Sequence, residues 1–239
     1  VWPSYVAISL PGLPWITLTR ITGFPMAFLL LVAVSMSSSF RSEMKEALDA
    51  TSLIWKFLVA FCLVQVVTIF ASESPYNSVE KVVLFQVNWT AMFFVSCYVF
   101  RTHGRARLWT ISLIAMALVV SLIAFWEVRL GRLPWAGHIP SFLKIEDEPD
   151  QRVLAGAFRG GEYRVTSTFM ISLSFAEYLA LTSPFLIHLF VISRSTAARF
   201  ALVAADLLIL TATIFTQARL GMVGFLLAHS IYGLFWVIR

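Results

Sequence analysis

Runs of apolar residues are the feature that most constrains how this chain can fold. Seven of them alternate with polar segments, at about 20–37, 52–71, 82–100, 108–126, 166–192, 200–217 and 221–238. An α-helix rises about 1.5 Å per residue, so roughly 20 apolar residues cross a hydrocarbon layer about 30 Å thick. Inside that layer the backbone must satisfy its own hydrogen bonds, which a helix does. We therefore predict an all-α integral membrane protein with about seven transmembrane helices.

Composition supports this fold class and excludes others. Of the 239 residues, 59% are hydrophobic and 13% are charged, which is too little charge to cover a soluble domain of this size. The net charge of +5 does not predict nucleic-acid binding, because the basic residues cluster in short segments between the apolar runs, where orientation signals occur. The two cysteines lie inside apolar runs and predict neither a disulfide framework nor a metal site.

The chain is predicted to form a single polytopic membrane domain, 1–239, that carries one sizeable extramembrane loop. This loop, 127–165, contains six basic residues, six acidic residues and three prolines. Dense basic clusters at 101–107 and 194–199 favour the cytoplasmic side for those turns, which places the loop on the opposite side. The proline- and aromatic-rich start of the chain predicts an interfacial, partly re-entrant approach to the first span. Because the chain begins with Val and ends directly after an apolar run, we expect it to be a piece of a longer protein.

Two arginines are the main candidates for a functional site. The predicted topology brings Arg164, at the end of the loop, and Arg219, between the last two spans, to the same non-cytoplasmic face. Two guanidiniums there predict a site for a lipid phosphate or a pyrophosphate-linked carrier, since Arg binds phosphate bidentately and stays charged. Gln217 and Gly221 would add a donor and a close backbone approach. The alternative for either arginine is a helix-end side chain that snorkels to the headgroups.

Other ionisable groups within the spans receive weaker assignments. Glu177, roughly three turns into the fifth run, is a candidate substrate-binding residue or general base, with a helix-holding ion pair as the alternative. Asp206 is expected to snorkel from about a turn and a half inside the sixth run. His188 and His229 are interpreted as lone, satisfied residues on apolar faces, so no metal site is predicted.

Three stretches resemble, in order, landmarks of the bacterial O-antigen ligase and polymerase superfamily. They are WPSYVAISLPGLPWITLTRI (2–21), YRVTSTFMISLSFAEYLAL (163–181) and TQARLGMVGFLL (216–227). The first is similar to the proline- and aromatic-rich approach of exopolysaccharide-type members, and the others to the family's arginine motifs. The third departs from the family pattern, with Ala218 in place of a serine before the arginine and Leu220 displacing the glycine after it.

The resemblance implies a metal-independent, multi-pass glycosyltransferase of the bacterial inner membrane, which needs no cofactor. Such a protein takes a glycan from undecaprenyl pyrophosphate in surface polysaccharide or O-antigen biosynthesis and joins it to lipid A–core or to another glycan. The loop 127–165 would then be periplasmic. Arg164 and Arg219 would be the catalytic, pyrophosphate-binding residues, and the general base is expected beyond Arg239, so that this piece alone would be inactive.

Two other classes of protein remain open. A transporter or flippase of lipid-linked or anionic substrates would also use arginines near the membrane surface, although transporters often contain internal repeats and no matching halves are visible. A signalling or scaffold membrane protein would use Arg164 and Arg219 only as anchors. Tolerance of both positions to alanine would favour that third class.

Overall fold

The computed structural model describes residues 2–3, 6–8, 15–143 and 153–238. It confirms the all-α fold class. The helices are α1 (Leu18–Met36), α2 (Ser38–Asp49), α3 (Ser52–Ile69), α4 (Pro75–Phe85), α5 (Ala91–Phe100), α6 (His103–Leu130), α7 (Ser172–Ile192), α8 (Thr196–Phe215) and α9 (Arg219–Ile238). A π-helical turn, Gln86–Thr90, joins α4 to α5. The strands β1 (Ala157–Arg159) and β2 (Glu162–Arg164) form one hairpin.

The long helices account for the predicted membrane spans. Six stretches are long and apolar enough to cross a bilayer: α1, α3, the continuous segment Pro75–Phe100, α6 from Gly104, α7 and α8. The apolar part of α9, Arg219–Phe235, is somewhat shorter and completes the set of about seven. The protein is therefore a multi-pass membrane protein.

The chain divides into two compact units. One unit holds 18–108, and the other holds 1–17 together with 109–239. In the first unit the side chain of Arg101, after α5, bridges two glutamates of α2: Nη1 lies 2.8 Å from Glu43 Oε2 and Nη2 lies 2.6 Å from Glu46 Oε2. These contacts fasten the amphipathic helix α2 to the end of a membrane span.

The core of the second unit lies between α6, α7, α8 and α9. Ala117, Phe175, Leu179 and Ile209 are fully buried there, while large apolar side chains elsewhere on the same helices are exposed. In a membrane protein those exposed faces meet lipid, so burial marks the helix–helix contacts.

Helices α7 and α9 make an unusually close contact through small residues. A Cβ placed on Gly221 would lie 2.3 Å from the Cβ of Ala176, and one on Gly224 would lie 3.3 Å from the Cβ of Ala180. Both pairs have nearly the same offset, 221 − 176 = 45 and 224 − 180 = 44, so the two helices run parallel. Close approach of small residues is a common way to pack membrane helices.

Two boundaries differ from the sequence prediction. Helix α6 continues to Leu130, so 127–130, predicted as the start of the loop, are helical. At the N-terminus, Ile8 pairs with Ile16 and the amide of Ala7 donates to the carbonyl of Leu143 in the loop. The described residues 6–8 therefore pack on the extramembrane loop, and the prolines of the predicted re-entrant segment, at 11 and 14, lie outside the described residues.

Candidate functional site

Arg164 is presented by the β-hairpin of the extramembrane loop. Arg159 pairs with Glu162, which leaves Gly160 and Gly161 as the two turn residues, with φ values of 60° and 86°. Positive φ at both positions is the requirement of the tightest hairpin turns, and glycine meets it without steric cost. The hairpin thus ends with Arg164 partly buried, directly before the segment that leads into α7.

The side chain of Arg164 is anchored to the turn between α8 and α9. Its Nε donates to the carbonyl oxygen of Thr216 at 3.0 Å, and the amide of the next residue, Val165, donates to the carbonyl of Phe215 at 3.3 Å. No hydrogen bond involves the Nη atoms of Arg164 within the described ranges. The guanidinium is therefore held through Nε. Its two Nη groups, which can donate in parallel to a phosphate, keep their hydrogens available.

The turn itself places Arg219 as the first residue of α9. Thr216 is fully buried, and its Oγ1 donates to the carbonyl of Thr213 at 2.6 Å and accepts from the amide of Ala218 at 3.1 Å. Gln217 has a φ of 52°, which lets the chain reverse in very few residues. Arg219 is exposed, and Gln217 is partly buried. Arg164 thus contacts the same short turn that carries Arg219.

A helix N-terminus strengthens the positive character of this turn. The first backbone amides of α9 have no partners within their own helix, and the helix dipole adds partial positive charge there. Arg219 is the first residue of that helix, and Arg164 is bonded to Thr216 just before it. The arrangement concentrates positive charge at this turn.

Glu127 is the residue of this region that sequence reasoning missed. It is fully buried near the end of α6, and its carboxylate accepts four hydrogen bonds. Oε1 accepts from the hydroxyl of Tyr163 at 2.7 Å, from the amide of Thr166 at 3.0 Å and from the hydroxyl of Thr166 at 3.4 Å; Oε2 accepts from the amide of Ser167 at 2.6 Å. The two successive amides of Thr166 and Ser167 thus point to one anion, as in the anion-binding nests of other proteins.

These contacts fix the backbone on both sides of Arg164. Glu127 holds Tyr163 before it and Thr166 and Ser167 after it, while α8 holds Arg164 and Val165 through Thr216 and Phe215. Burying a carboxylate is costly unless donors surround it, and here four donors do so. Glu127 therefore holds the residues on both sides of Arg164 in place.

The other predicted site residues are placed elsewhere. Glu177 lies on the exposed face of α7, and no contact joins it to Arg164 or Arg219 within the described residues. Gly221 does provide a close backbone approach, but its partner is Ala176 of α7 and it packs two helices together.

Asp206 and His229 form a second polar contact that sequence reasoning missed. The Nε2 atom of His229 lies 3.0 Å from Oδ2 of Asp206, so His229 is not the lone histidine that was predicted and Asp206 does not reach for the membrane surface. A signal was present in the sequence: the turn between α8 and α9 is centred on Gln217, and the two residues are nearly equidistant from it, because 217 − 206 = 11 and 229 − 217 = 12. Residues equidistant from the turn of a helical hairpin lie at the same depth.

Comparison with known proteins adds no relative, since no protein-family model, no curated protein and no solved structure matches this chain. The resemblance of the three quoted stretches to the O-antigen ligase and polymerase superfamily therefore stays a prediction. What the site can do chemically follows from its own geometry. In that geometry, Arg164 is anchored to the turn that carries Arg219, and the buried carboxylate of Glu127 holds the residues next to Arg164.

Proposed function

We propose that this protein is a membrane glycosyltransferase that transfers or polymerises a glycan carried on undecaprenyl pyrophosphate, at the periplasmic face of a bacterial inner membrane. The observation that carries the proposal is the anchoring of Arg164 by its Nε to the turn that begins with Thr216 and leads to Arg219. The donor class follows from an anion site at the end of membrane helices, where the phosphates of a lipid carrier lie. The glycan part of the proposal rests on the resemblance of the three quoted stretches to the O-antigen ligase and polymerase superfamily.

Transfer of a sugar from pyrophosphate needs stabilisation of the negative charge that develops on the leaving group. Fixed cations achieve this with little reorganisation, and their effect is larger in a site that excludes water. A guanidinium already held through Nε meets the first condition, because its remaining N–H groups keep one orientation as charge develops. Arg219, exposed at the first residue of α9, would complete the clamp from the other side.

The proposal assigns no general base to the residues of this site. An acceptor hydroxyl must lose a proton during transfer. Glu127 does not fit that role, because Tyr163, Thr166 and Ser167 already donate to both of its oxygens. Its part in the proposed reaction is to position Arg164.

A transporter or flippase of lipid-linked or anionic substrates is the second candidate. The contact between Asp206 and His229 favours it, because transporters often place ionisable groups along the path of their substrate. Against it, Arg164 and the turn that carries Arg219 meet at one end of α8 rather than along a path through the membrane. The glycosyltransferase is therefore the function that the site supports better.

The test uses the gene in the organism that encodes it, with surface polysaccharide as the readout and membrane abundance matched by immunoblot. Arg164→Ala, Arg219→Ala and Arg219→Lys are each expected to abolish the product. Lysine keeps the charge but not the two-pronged donor. Unchanged polysaccharide in all three variants would reject the clamp and leave both arginines as anchors.

Arg199→Ala is the matched control. Its Nε also donates to a backbone carbonyl at 3.0 Å, that of Ser193, but at the opposite end of α8. It should keep normal product, which separates loss of the clamp from loss of any anchored arginine. The product pattern then distinguishes two activities: long chains left on the carrier indicate a ligase, and single unpolymerised repeats indicate a polymerase.

A further inference from the structure

The contact between Asp206 and His229 lies at the middle of two membrane helices. Asp206 is ten residues from the start of α8 (206 − 196) and His229 is ten residues from the start of α9 (229 − 219), and each helix has 20 residues. At 1.5 Å per residue, both side chains leave their helices about 15 Å from either end. Ionisable residues at that depth are costly, face other protein groups and commonly mark proton or ion pathways.

The hydrogen bonds require a proton between the two side chains. The Nδ1 atom of His229 lies 3.0 Å from the carbonyl oxygen of Phe225, and a carbonyl only accepts, so Nδ1 carries a hydrogen. The Nε2 atom lies 3.0 Å from Oδ2 of Asp206. Without a hydrogen in that second contact, the lone pairs of Nε2 and Oδ2 would face each other. One further proton therefore belongs to the pair, whichever partner carries it.

A cavity of about 260 Å³ adjoins the pair. Its other walls are apolar and come from α7 and α8: Leu186, Ile187, Phe190, Leu202, Val203 and Leu207. The side chains of His229 and Asp206 keep 34% and 22% of their surface exposed, so both reach the cavity. The second carboxylate oxygen, Oδ1 of Asp206, is buried and has no partner in the part of the chain that the structure describes.

We propose that Asp206 and His229 form an exchangeable proton-binding site at the middle of the membrane. Uptake forms one N–H or O–H bond with a proton from water that enters the cavity, and release returns that proton to water. No electrons are transferred. The ligand is a proton rather than a divalent metal ion, because two side chains are too few ligands and no third His, Cys, Asp or Glu joins them within the described residues.

Among the described residues of the packed helices, no other titratable group lines this cavity. On α7, His188 is bonded to Tyr232 of α9 at 3.0 Å, Tyr178 donates to a carbonyl of α6 and Glu177 is exposed. The arginines of this unit on α8 and α9, Arg199 and Arg219, stand near the starts of their helices. Loss or gain of the proton therefore changes the charge at the middle of the membrane by one, with no second group to compensate for it.

The test measures proton uptake by the full chain in lipid nanodiscs. Infrared difference spectra between mildly acidic and mildly alkaline buffer, on protein with isotope-labelled aspartate carboxyl groups and histidine rings, report both partners. Beyond the signals of the other aspartates and histidines, which the variants of this pair share, we expect an aspartate carboxyl band and a histidine ring band that change together, as one proton enters. Both changes should be lost in Asp206→Asn and in His229→Gln.

Two further variants keep the result interpretable. The double variant Asp206→Asn with His229→Gln can retain a hydrogen bond between the two amides, so it should fold and show neither change. His188→Gln breaks the other histidine contact between membrane helices and should keep both changes. The proposal is overturned if the wild-type bands do not respond to pH, or if the same response persists in the double variant. Arg164 and Arg219 lie at the C-terminal end of α8, away from the pair at its middle, so their variants test the glycosyltransferase separately.

Discussion

A methyl group added at Gly221 should separate α7 from α9. The new Cβ would lie 2.3 Å from the Cβ of Ala176 and 3.2 Å from its backbone carbons, whereas carbon atoms pack at about 3.5–4.0 Å. The helices must therefore move apart by roughly 1.5 Å at this point. Neither partner is a flexible side chain, so the strain has no cheap relief. We expect Gly221→Ala to lower the free energy of unfolding by about 1–3 kcal/mol, the usual range for an overpacked core.

A second substitution at the contact between Gly221 and Ala176 should restore the lost stability. Combining Gly221→Ala with Ala176→Gly moves the methyl from one helix to the other and restores the available space. The double variant should be more stable than Gly221→Ala alone, with a coupling free energy within about 0.5–3 kcal/mol, the range for residues in contact. Equilibrium unfolding in mixed micelles, followed by the loss of helical circular dichroism, measures the wild type, Gly221→Ala, Ala176→Gly and the double variant.

Two other glycines of α9 serve as comparisons for the effect of an added methyl group on stability. A Cβ on Gly224 would lie 3.3 Å from the Cβ of Ala180, and one on Gly233 would meet nothing within 4 Å. Stability should fall in the order Gly233→Ala, Gly224→Ala, Gly221→Ala, with the first no less stable than wild type because alanine is the better helix former. The reasoning is refuted if Gly221→Ala is as stable as Gly233→Ala, or if Ala176→Gly gives no rescue.

Two further predictions concern polar contacts of opposite kinds. Glu127→Ala removes the acceptor of four hydrogen bonds, and each buried donor left unsatisfied costs about 1–3 kcal/mol of stability. Trypsin should therefore cleave after Arg159 or Arg164 much faster than in wild type. Unchanged cleavage would show that Glu127 does not hold the hairpin. Arg101→Ala removes the exposed salt bridges to α2 and should lower the free energy of unfolding by less than about 1 kcal/mol. High salt screens these charges and should reduce the difference further. A larger loss of stability that does not depend on salt would contradict this interpretation.

The membrane spans could be predicted because the bilayer imposes one length on every apolar run. The predicted run 52–71 corresponds to α3 at Ser52–Ile69, and 221–238 to α9 at Arg219–Ile238. Boundaries were less accurate where a charged residue lies inside a helix. Glu127 was predicted to begin the loop 127–165, yet α6 continues to Leu130. The helix can continue because Tyr163, Thr166 and Ser167 donate hydrogen bonds to the buried carboxylate of Glu127.

The candidate site was only partly predictable. Topology alone suggested that Arg164 and Arg219 share one face of the membrane, and the structure brings Arg164 to the turn that carries Arg219. The details depend on tertiary contacts across long separations, such as the 39 residues from Glu127 to Thr166, which no local pattern encodes. The pairing of Asp206 with His229 was missed because the sixth span was started at residue 200 instead of Thr196, which moved Asp206 nearer to the surface.

The parallel contact between α7 and α9 has a consequence for how this protein is made. Two parallel neighbours cannot be joined by a tight turn, so the chain crosses the membrane once more, as α8, before α9 can reach Ala176. During synthesis, α7 therefore enters the bilayer with its small-residue face uncovered and keeps it so until more than forty further residues, 221 − 176 = 45, have emerged. The contact between α7 and α9 thus forms only after α8 has been made, and a ribosome stalled before Gly221 would leave the insertion machinery, or lipid, as the temporary neighbour of α7.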